Sequence, residues 1–134
     1  MKHYYDPLGL ERYRDKRTPA HEVHSTYLER LCRERNLRQI DENPNDLRAI
    51  FHEPTYFRRS DTCQLICPDL FLNYYSSRWT VIELKGSKNK RDKAIHQIDS
   101  GIRMLVDVFG VPIRDITGKF VIYSGNHYDY EIIR

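Results

Sequence analysis

The chain has 134 residues, carries a formal net charge of +3 and contains three cysteines. This length suits one domain with a single core, and the sequence shows neither an apolar run long enough for a membrane span nor a secretory leader, which predicts a cytoplasmic, intracellular protein. The cysteines match no tetrahedral zinc spacing, so we expect Cys32 to fill a helix and Cys63 and Cys67 to pack in a strand.

The N-terminal part of the chain is predicted to be an arm followed by a helix. Residues 1–17 mix charged and aromatic side chains without a sustained period, which indicates a loosely packed arm. Thr18 and Pro19 then supply a helix N-cap and a proline in the first turn, and the helix is expected to run to about Arg35.

Short strand segments are predicted over residues 47–51 and 55–59, on either side of Pro54. A hairpin then occupies about 63–85, with a polar turn over 73–78. Its second strand is rich in β-branched and aromatic residues and is therefore expected to be buried. Charged residues at the end of that strand would lie in a desolvated position.

The last third of the chain predicts a crossover helix and two further strands. Apolar residues recur at helical spacing from Asn89 to Phe109, and Gly110 marks the end of that helix. Residues 119–123 return as a strand, and a turn leads into a final strand over 128–133.

The hairpin carries the chemistry of this sequence. In an antiparallel pair centred on Ser76, Asp69 lies opposite Glu83 with Cα atoms roughly 4.5–5.5 Å apart, and a loop of either three or five residues satisfies this register. Lys85 shares a strand face with Glu83, because side chains alternate. Two carboxylates this close repel each other unless a proton or a cation lies between them, which indicates a Mg²⁺ or Mn²⁺ site.

Two neighbouring features support a site for a polyanion. Pro68 interrupts the first hairpin strand and marks a place where pairing ends, directly beside Asp69. Residues 85–93 carry five positive charges and one negative charge, a pattern typical of phosphate contacts. The candidate nucleic-acid contacts in this cluster are Lys88, Lys90, Arg91 and Lys93.

Pro68-Asp69, Glu83-Leu84-Lys85 and a following helix that contains Gln97 resemble the PD-(D/E)XK nuclease superfamily, over residues 19–123. That superfamily includes restriction endonucleases, Holliday-junction resolvases, and RecB-type and cap-snatching endonucleases. The resemblance implies a single α/β (α+β) nuclease domain over residues 1–134. Its central mixed β-sheet would be flanked by helices in a restriction-endonuclease-like core, with a divalent metal at the end of the hairpin.

The resemblance also implies roles for individual residues. Asp69 would be a bridging metal ligand, with Glu83 as a second ligand and the Leu84 carbonyl as a third. Lys85 would hold or deprotonate the attacking water and neutralise charge in the transition state, which completes the catalytic set with Asp69 and Glu83. Gln97 would support the site from the crossover helix and joins the candidate nucleic-acid contacts.

A further metal ligand is expected from the first helix. Related nucleases often place a glutamate there, followed at three, four and seven residues by apolar side chains. His24 occupies the matching position, ahead of Tyr27, Leu28 and Leu31. We therefore expect His24 to bind the metal, as the resemblance to cap-snatching endonucleases implies, with Glu22 as the alternative if the helix begins irregularly. An imidazole ligand favours Mn²⁺ over Mg²⁺.

Three functions are compatible with this sequence. The leading prediction is a divalent-metal-dependent endonuclease that hydrolyses phosphodiester bonds in DNA, as a homodimer where two strands must be cut. The second is a metal-dependent RNA endonuclease of the cap-snatching kind, which the histidine favours. The third is a non-catalytic nucleic-acid-binding protein with a nuclease-like fold, against which the complete set of Asp69, Glu83 and Lys85 argues.

Overall fold

The computed structural model describes residues 19–52 and 68–134, and in the first helix it describes side chains from Val23 onward. Several predictions lie outside these described residues: the arm over 1–17, the Thr18 cap, the strand over 55–59, the hairpin residues 63–67 with Cys63 and Cys67, and the side chain of Glu22. Within the described ranges, no helix combines the length and the apolar character needed to cross a bilayer.

Within residues 19–52 and 68–134, five strands form one mixed sheet whose spatial order follows the chain order. The strands are β1 (Leu47–His52), β2 (Leu70–Tyr74), β3 (Trp79–Lys85), β4 (Ile116–Ser124) and β5 (His127–Ile132). β3 and β4 run parallel, and every other neighbouring pair is antiparallel. A parallel pair needs a crossover connection, and the helix between β3 and β4 provides it, as predicted.

In the described part of the chain, the helices α1 (Pro19–Leu31), α2 (Glu34–Gln39) and α3 (Arg91–Asp107) flank the sheet. Two short 3₁₀ turns, Lys88–Lys90 and Ile113–Asp115, precede α3 and β4. α1 and α2 cover one face of the sheet and α3 covers the other, which confirms the predicted α+β class with a central mixed sheet flanked by helices.

The alternation of side chains along β3 divides the core into two layers. Ile82 and Leu84 are fully buried in the layer that contains α1 and α2, whereas Val81 is buried in the layer that contains α3. Burying one such aliphatic side chain stabilises the fold by about 1.5–3 kcal/mol. Glu83 has the same parity as Val81, so a carboxylate takes a buried position on a strand that both core layers cover.

α3 lies very close to the start of the hairpin. A β-carbon at Gly101 would lie 2.6 Å from Pro68 Cγ and 3.0 Å from the Phe71 ring, so the helix can approach this far only because position 101 has no side chain. Pro68 is buried in this contact, and β2 begins two residues after it, at Leu70. Pairing with β3 thus begins after Pro68, whereas the interruption of a strand at Pro68 stays a prediction, because the residues before it lie outside the described ranges.

The prediction of one helix as far as Arg35 is wrong, because α1 ends at Leu31 and α2 begins at Glu34. A continuous helix would turn Leu31 and Ile40 about 180° apart, and the break allows both to be buried in one core layer. Cys32 lies at this break and not inside a helix. It is buried as expected, and burial raises the pKa of its thiol to about 12.

The remaining boundaries differ from the predictions by a few residues. α3 proper begins at Arg91 and ends at Asp107, two residues inside each predicted limit, and a 3₁₀ turn occupies the first predicted turn. β4 begins at Ile116, three residues earlier than predicted. Its first residues are held in the strand by pairing with β3, although their local sequence does not alternate apolar and polar residues. Helix and strand ends are the positions that local sequence specifies least.

Candidate catalytic site

The hairpin brings Asp69 and Glu83 to the same end of the sheet. β2 and β3 pair with Leu70 opposite Ile82, which is the predicted register. The same register continued by one residue places Asp69 opposite Glu83. The structure shows this proximity directly, because the backbone N–H of Asp69 donates a hydrogen bond to Glu83 Oε1 at 3.0 Å.

The turn of the hairpin decides between the two predicted loop lengths. The N–H of Tyr74 donates to the carbonyl of Arg78 at 2.9 Å, which leaves a three-residue loop between them. Ser77, the last residue of that loop, has a φ of 72°. A three-residue hairpin loop needs one residue in this left-handed region, so the local geometry agrees with the register.

The Asp69 carboxylate ties α1 and β3 together. Its Oδ2 accepts a hydrogen bond from the N–H of Leu84 at 2.7 Å, and its Oδ1 lies 2.9 Å from His24 Nε2. Only 12% of the Asp69 side chain is exposed. The carboxylate is therefore held in one orientation by a strand on one side and a helix on the other.

Glu83 is the most deeply buried charged group of the site. Its side chain is 2% exposed, and Lys85 Nζ lies 2.9 Å from its Oε2. Burial raises the pKa of Glu83 well above its usual value, the negative charge of Asp69 raises it further, and Lys85 acts in the opposite direction. The ionised form of this carboxyl is therefore costly unless a cation compensates it.

His24 reaches the site from α1, as the spacing of its apolar neighbours predicts. Leu28 and Leu31 are buried in the core layer beneath α1, and Tyr27 stacks on Tyr123 of β4 with ring centroids 3.9 Å apart. These contacts fix the rotation of the helix about its axis and direct His24 toward Asp69. The position of His24 is thus observed, whereas its role as a ligand stays a prediction.

The donor atoms of the site suit a divalent ion chemically. His24, Asp69 and Glu83 offer one imidazole nitrogen and four carboxylate oxygens. The Leu84 carbonyl faces the same side of β3 as the Leu84 N–H that binds Asp69, because both groups of one residue point the same way in a strand.

In the structure, these donor atoms form hydrogen bonds and ion pairs with groups of the protein. Among the described residues, no three His, Cys, Asp or Glu side chains already surround a common point as ligands. The carboxylate oxygens of Asp69 and Glu83 instead contact His24, Lys85 and backbone N–H groups. A bound ion would have to replace the His24–Asp69 and Lys85–Glu83 contacts.

The predicted nucleic-acid contacts occupy three kinds of position. Lys88, Lys90 and Lys93 are exposed at the start of α3, whereas Gln97 is partly buried on the same helix. Arg91 forms a two-pronged ion pair with Glu131 of β5, with nitrogen–oxygen distances from 2.6 to 3.1 Å. The pKa of Arg91 is raised and that of Glu131 is lowered by this pairing. Arg91 is thus already matched to a carboxylate.

A second basic surface was not predicted from the sequence. A cavity of about 270 Å³, here called the arginine pocket, is lined by Arg30, Arg33, Arg35, Asn36, Gly125, Asn126 and Tyr128. In one continuous helix Arg33 and Arg35 would point about 160° apart, so no sequence signal groups them. The break between α1 and α2 brings them to one cavity.

Comparison of the chain with protein-family models, with curated proteins and with solved structures gave no match. The assignment of a function therefore depends on the geometry and chemistry of the site. Fold alone would not supply one, since the same architecture supports unrelated activities.

Proposed function

We propose that this protein is a divalent-metal-dependent nuclease that hydrolyses phosphodiester bonds, with Asp69, Glu83 and Lys85 as its catalytic residues. The observation that carries the proposal is the burial of Glu83 beside Asp69, with Lys85 2.9 Å away, at the end of a central strand. Such an arrangement is costly to the fold, and pKa values perturbed by burial and a neighbouring charge are typical of functional sites. A site for Mg²⁺ or Mn²⁺ explains the cost.

Each residue of the site has a separate role in the proposed reaction. Asp69 and Glu83 would hold the ion, together with the Leu84 carbonyl and His24. The ion supplies an activated water and a sink for the charge of the transition state. Without the ion, Lys85 pairs with Glu83. With Glu83 bound to the ion, Lys85 would be released to donate to the oxygen on which negative charge develops, or to hold the attacking water. The Leu84 N–H holds Asp69 Oδ2, so this carboxylate stays anchored on one side when its contact with His24 is replaced.

DNA is the leading substrate, and RNA is the second candidate. The contact between His24 and Asp69 favours the RNA candidate, because a histidine from the first helix is the feature shared with the cap-snatching endonucleases. A third reading, a binding protein without turnover, is less consistent with a full set of Asp69, Glu83 and Lys85 held within contact distance of one another. A homodimer would allow one active site for each strand of a duplex.

The test is a cleavage assay on plasmid DNA, branched DNA and RNA in the presence of Mg²⁺ or Mn²⁺. We expect cleavage that EDTA abolishes, a loss of at least about a hundredfold in Asp69→Asn, and a similar loss in Lys85→Ala. Asp99→Asn is the matched control, since Asp99 is also a paired carboxylate but binds Arg134 on the surface. Wild-type rates in EDTA or in Asp69→Asn would disprove the mechanism.

A further inference from the structure

The arginine pocket lies at the same end of the sheet as the candidate catalytic site. Lys85, the last residue of β3, pairs with Ile122 of β4, and β4 ends two residues later at Ser124. The turn that follows β4 lines the pocket. Because β3 and β4 are parallel, their C-terminal ends lie at the same end of the sheet, which places the pocket and the candidate catalytic site at that end.

The arginines of the pocket differ from Arg91 and Arg134 in their pairing. Arg91 and Arg134 each form an ion pair with a carboxylate, Glu131 and Asp99 respectively. No salt bridge joins any of the three pocket arginines to a carboxylate within the part of the chain that the structure describes. Three arginines that line one cavity and form no ion pair among the described residues are suited to bind an anion.

The charges of the pocket act on the polar groups that line it. Burial raises the pKa of Tyr128, and the positive charges of Arg30 and Arg33 oppose that rise. Asn36 is nearly buried and is held by its bond to the carbonyl of Arg30 at 2.6 Å, which shapes the wall of the cavity across the helix break. At about 270 Å³ the cavity is small for a drug-sized ligand and suits a phosphate group better.

A continuous set of contacts joins the pocket to the candidate catalytic site. A β-carbon at Gly86, next to Lys85, would lie 3.0 Å from the Tyr123 hydroxyl. Tyr123 stacks on Tyr27, and the guanidinium of Arg30 lies 5.7 Å from the centroid of the Tyr27 ring. Along α1, Arg30 follows His24 by six residues, or roughly 9 Å. That is about the axial length of three phosphates on a duplex strand.

We propose that the arginine pocket binds a backbone phosphate of the nucleic-acid strand whose scissile phosphate lies at Asp69, Glu83 and Lys85. The identity of that strand as a substrate rests on the proposed function, whereas the anion site itself does not. The pocket defines the substrate class as a polynucleotide that extends several nucleotides beyond the cleaved bond. A mononucleotide or a dinucleotide is too short to reach both sites.

The test is binding of fluorescent twelve-nucleotide single strands and duplexes in EDTA, measured by anisotropy over a range of salt. Arg33→Ala with Arg35→Ala should weaken binding about 10- to 100-fold, the usual range for losing charged hydrogen bonds, and lower the single-strand salt slope by about 0.7. Arg33→Lys with Arg35→Lys should keep the slope and recover only part of the affinity, because lysine lacks the planar fork.

The matched control is Arg103→Ala with Arg114→Ala. It removes two exposed arginines outside the pocket, and therefore the same positive charge as the pocket variant. A loss in the pocket variant no larger than in this control would overturn the proposal. Hydrolysis of bis(p-nitrophenyl) phosphate by the wild-type protein with Mn²⁺ tests the catalytic site alone, since this compound is too small to span both sites. Failure there would count against the proposed function and leave the binding result to decide the pocket.

Discussion

At the scale of single residues, the most informative group is the carboxyl of Glu83. It lies in a buried strand where an apolar residue would fit the core better, and its charge is opposed by burial and by Asp69. A protein that keeps such a group gives up stability for function. That cost can be measured without any assumption about the substrate.

Glu83→Gln should stabilise the metal-free protein by about 0.5–2 kcal/mol at pH 8. Because the pKa of Glu83 is raised in the folded state, the wild-type penalty is absent below about pH 4, where folded and unfolded chains are both protonated. The penalty is complete once the pH exceeds the raised pKa of Glu83 in the folded state. The advantage of the variant should therefore grow from pH 4 to pH 8 in urea unfolding with EDTA.

Glu131→Gln is the control for this pH dependence. Arg91 lowers the pKa of Glu131, so the shift is opposite in direction to that of Glu83. The wild-type carboxylate is favoured above its pKa, so the control variant should gain nothing as the pH rises. Equal gains in both variants would mean that general charge, and not the burial of Glu83, governs the effect.

At the scale of secondary-structure elements, a buried ion pair holds α2 against the sheet. Lys119 of β4 donates to the carbonyls of Ile40 and Asp41, at 2.7 and 3.2 Å, and forms an ion pair with Glu42. Lys119 thus satisfies carbonyls at the C-terminal end of α2, where a cation is favoured by the helix dipole. Thr80 donates to the other oxygen of Glu42 at 2.8 Å.

Lys119→Met should destabilise the protein by about 3–5 kcal/mol, because Glu42 would keep a buried negative charge without its counter-charge, with only hydrogen bonds from Thr80 and Tyr74 left to it. Urea unfolding followed by circular dichroism measures the loss. Lys93→Met is the matched control on an exposed position and should stay within about 0.5 kcal/mol of the wild type. Adding Glu42→Gln to Lys119→Met should recover part of the loss, and additive losses would contradict the pairing.

At the scale of the whole molecule, binding of an ion at the candidate catalytic site should couple to folding, since the proposed ligands come from α1, β3 and the residue before β2. Mn²⁺ at a hundred times its dissociation constant should raise the free energy of unfolding by about 2.7 kcal/mol. At equal concentrations, Mn²⁺ should raise the midpoint of thermal unfolding more than Mg²⁺ does. His24→Ala should weaken Mn²⁺ binding in calorimetric titration, and Asp69→Asn should abolish it.

The surface pair of His127 and Asp129 provides the control for this titration, with the same 2.9 Å contact as His24 and Asp69. His127→Ala should leave Mn²⁺ binding unchanged. If His24→Ala also leaves it unchanged while Glu22→Ala weakens it, the helix ligand is Glu22 and the assignment of His24 is wrong.

The register of the hairpin and the path of the crossover helix were predictable from local sequence. Alternation along a strand and a short polar turn together restrict the pairing so strongly that Asp69 and Glu83 could be matched in advance. The periodicity of α3 and the glycine after it likewise depend on neighbours in the chain. Interactions over a few residues are readable because their geometry is always the same.

Only the tertiary structure decided how the helices on the other face are divided and which charges find partners. The break after Leu31 arises because one core layer must accept side chains from both α1 and α2. No glycine or proline lies at the break to indicate it in the sequence. The pairing of Arg91 with Glu131, the burial of Lys119 with Glu42 and the convergence of three arginines follow from that packing. Partners 40 or more residues apart leave no periodic trace in the sequence, because their proximity is a property of the folded layers.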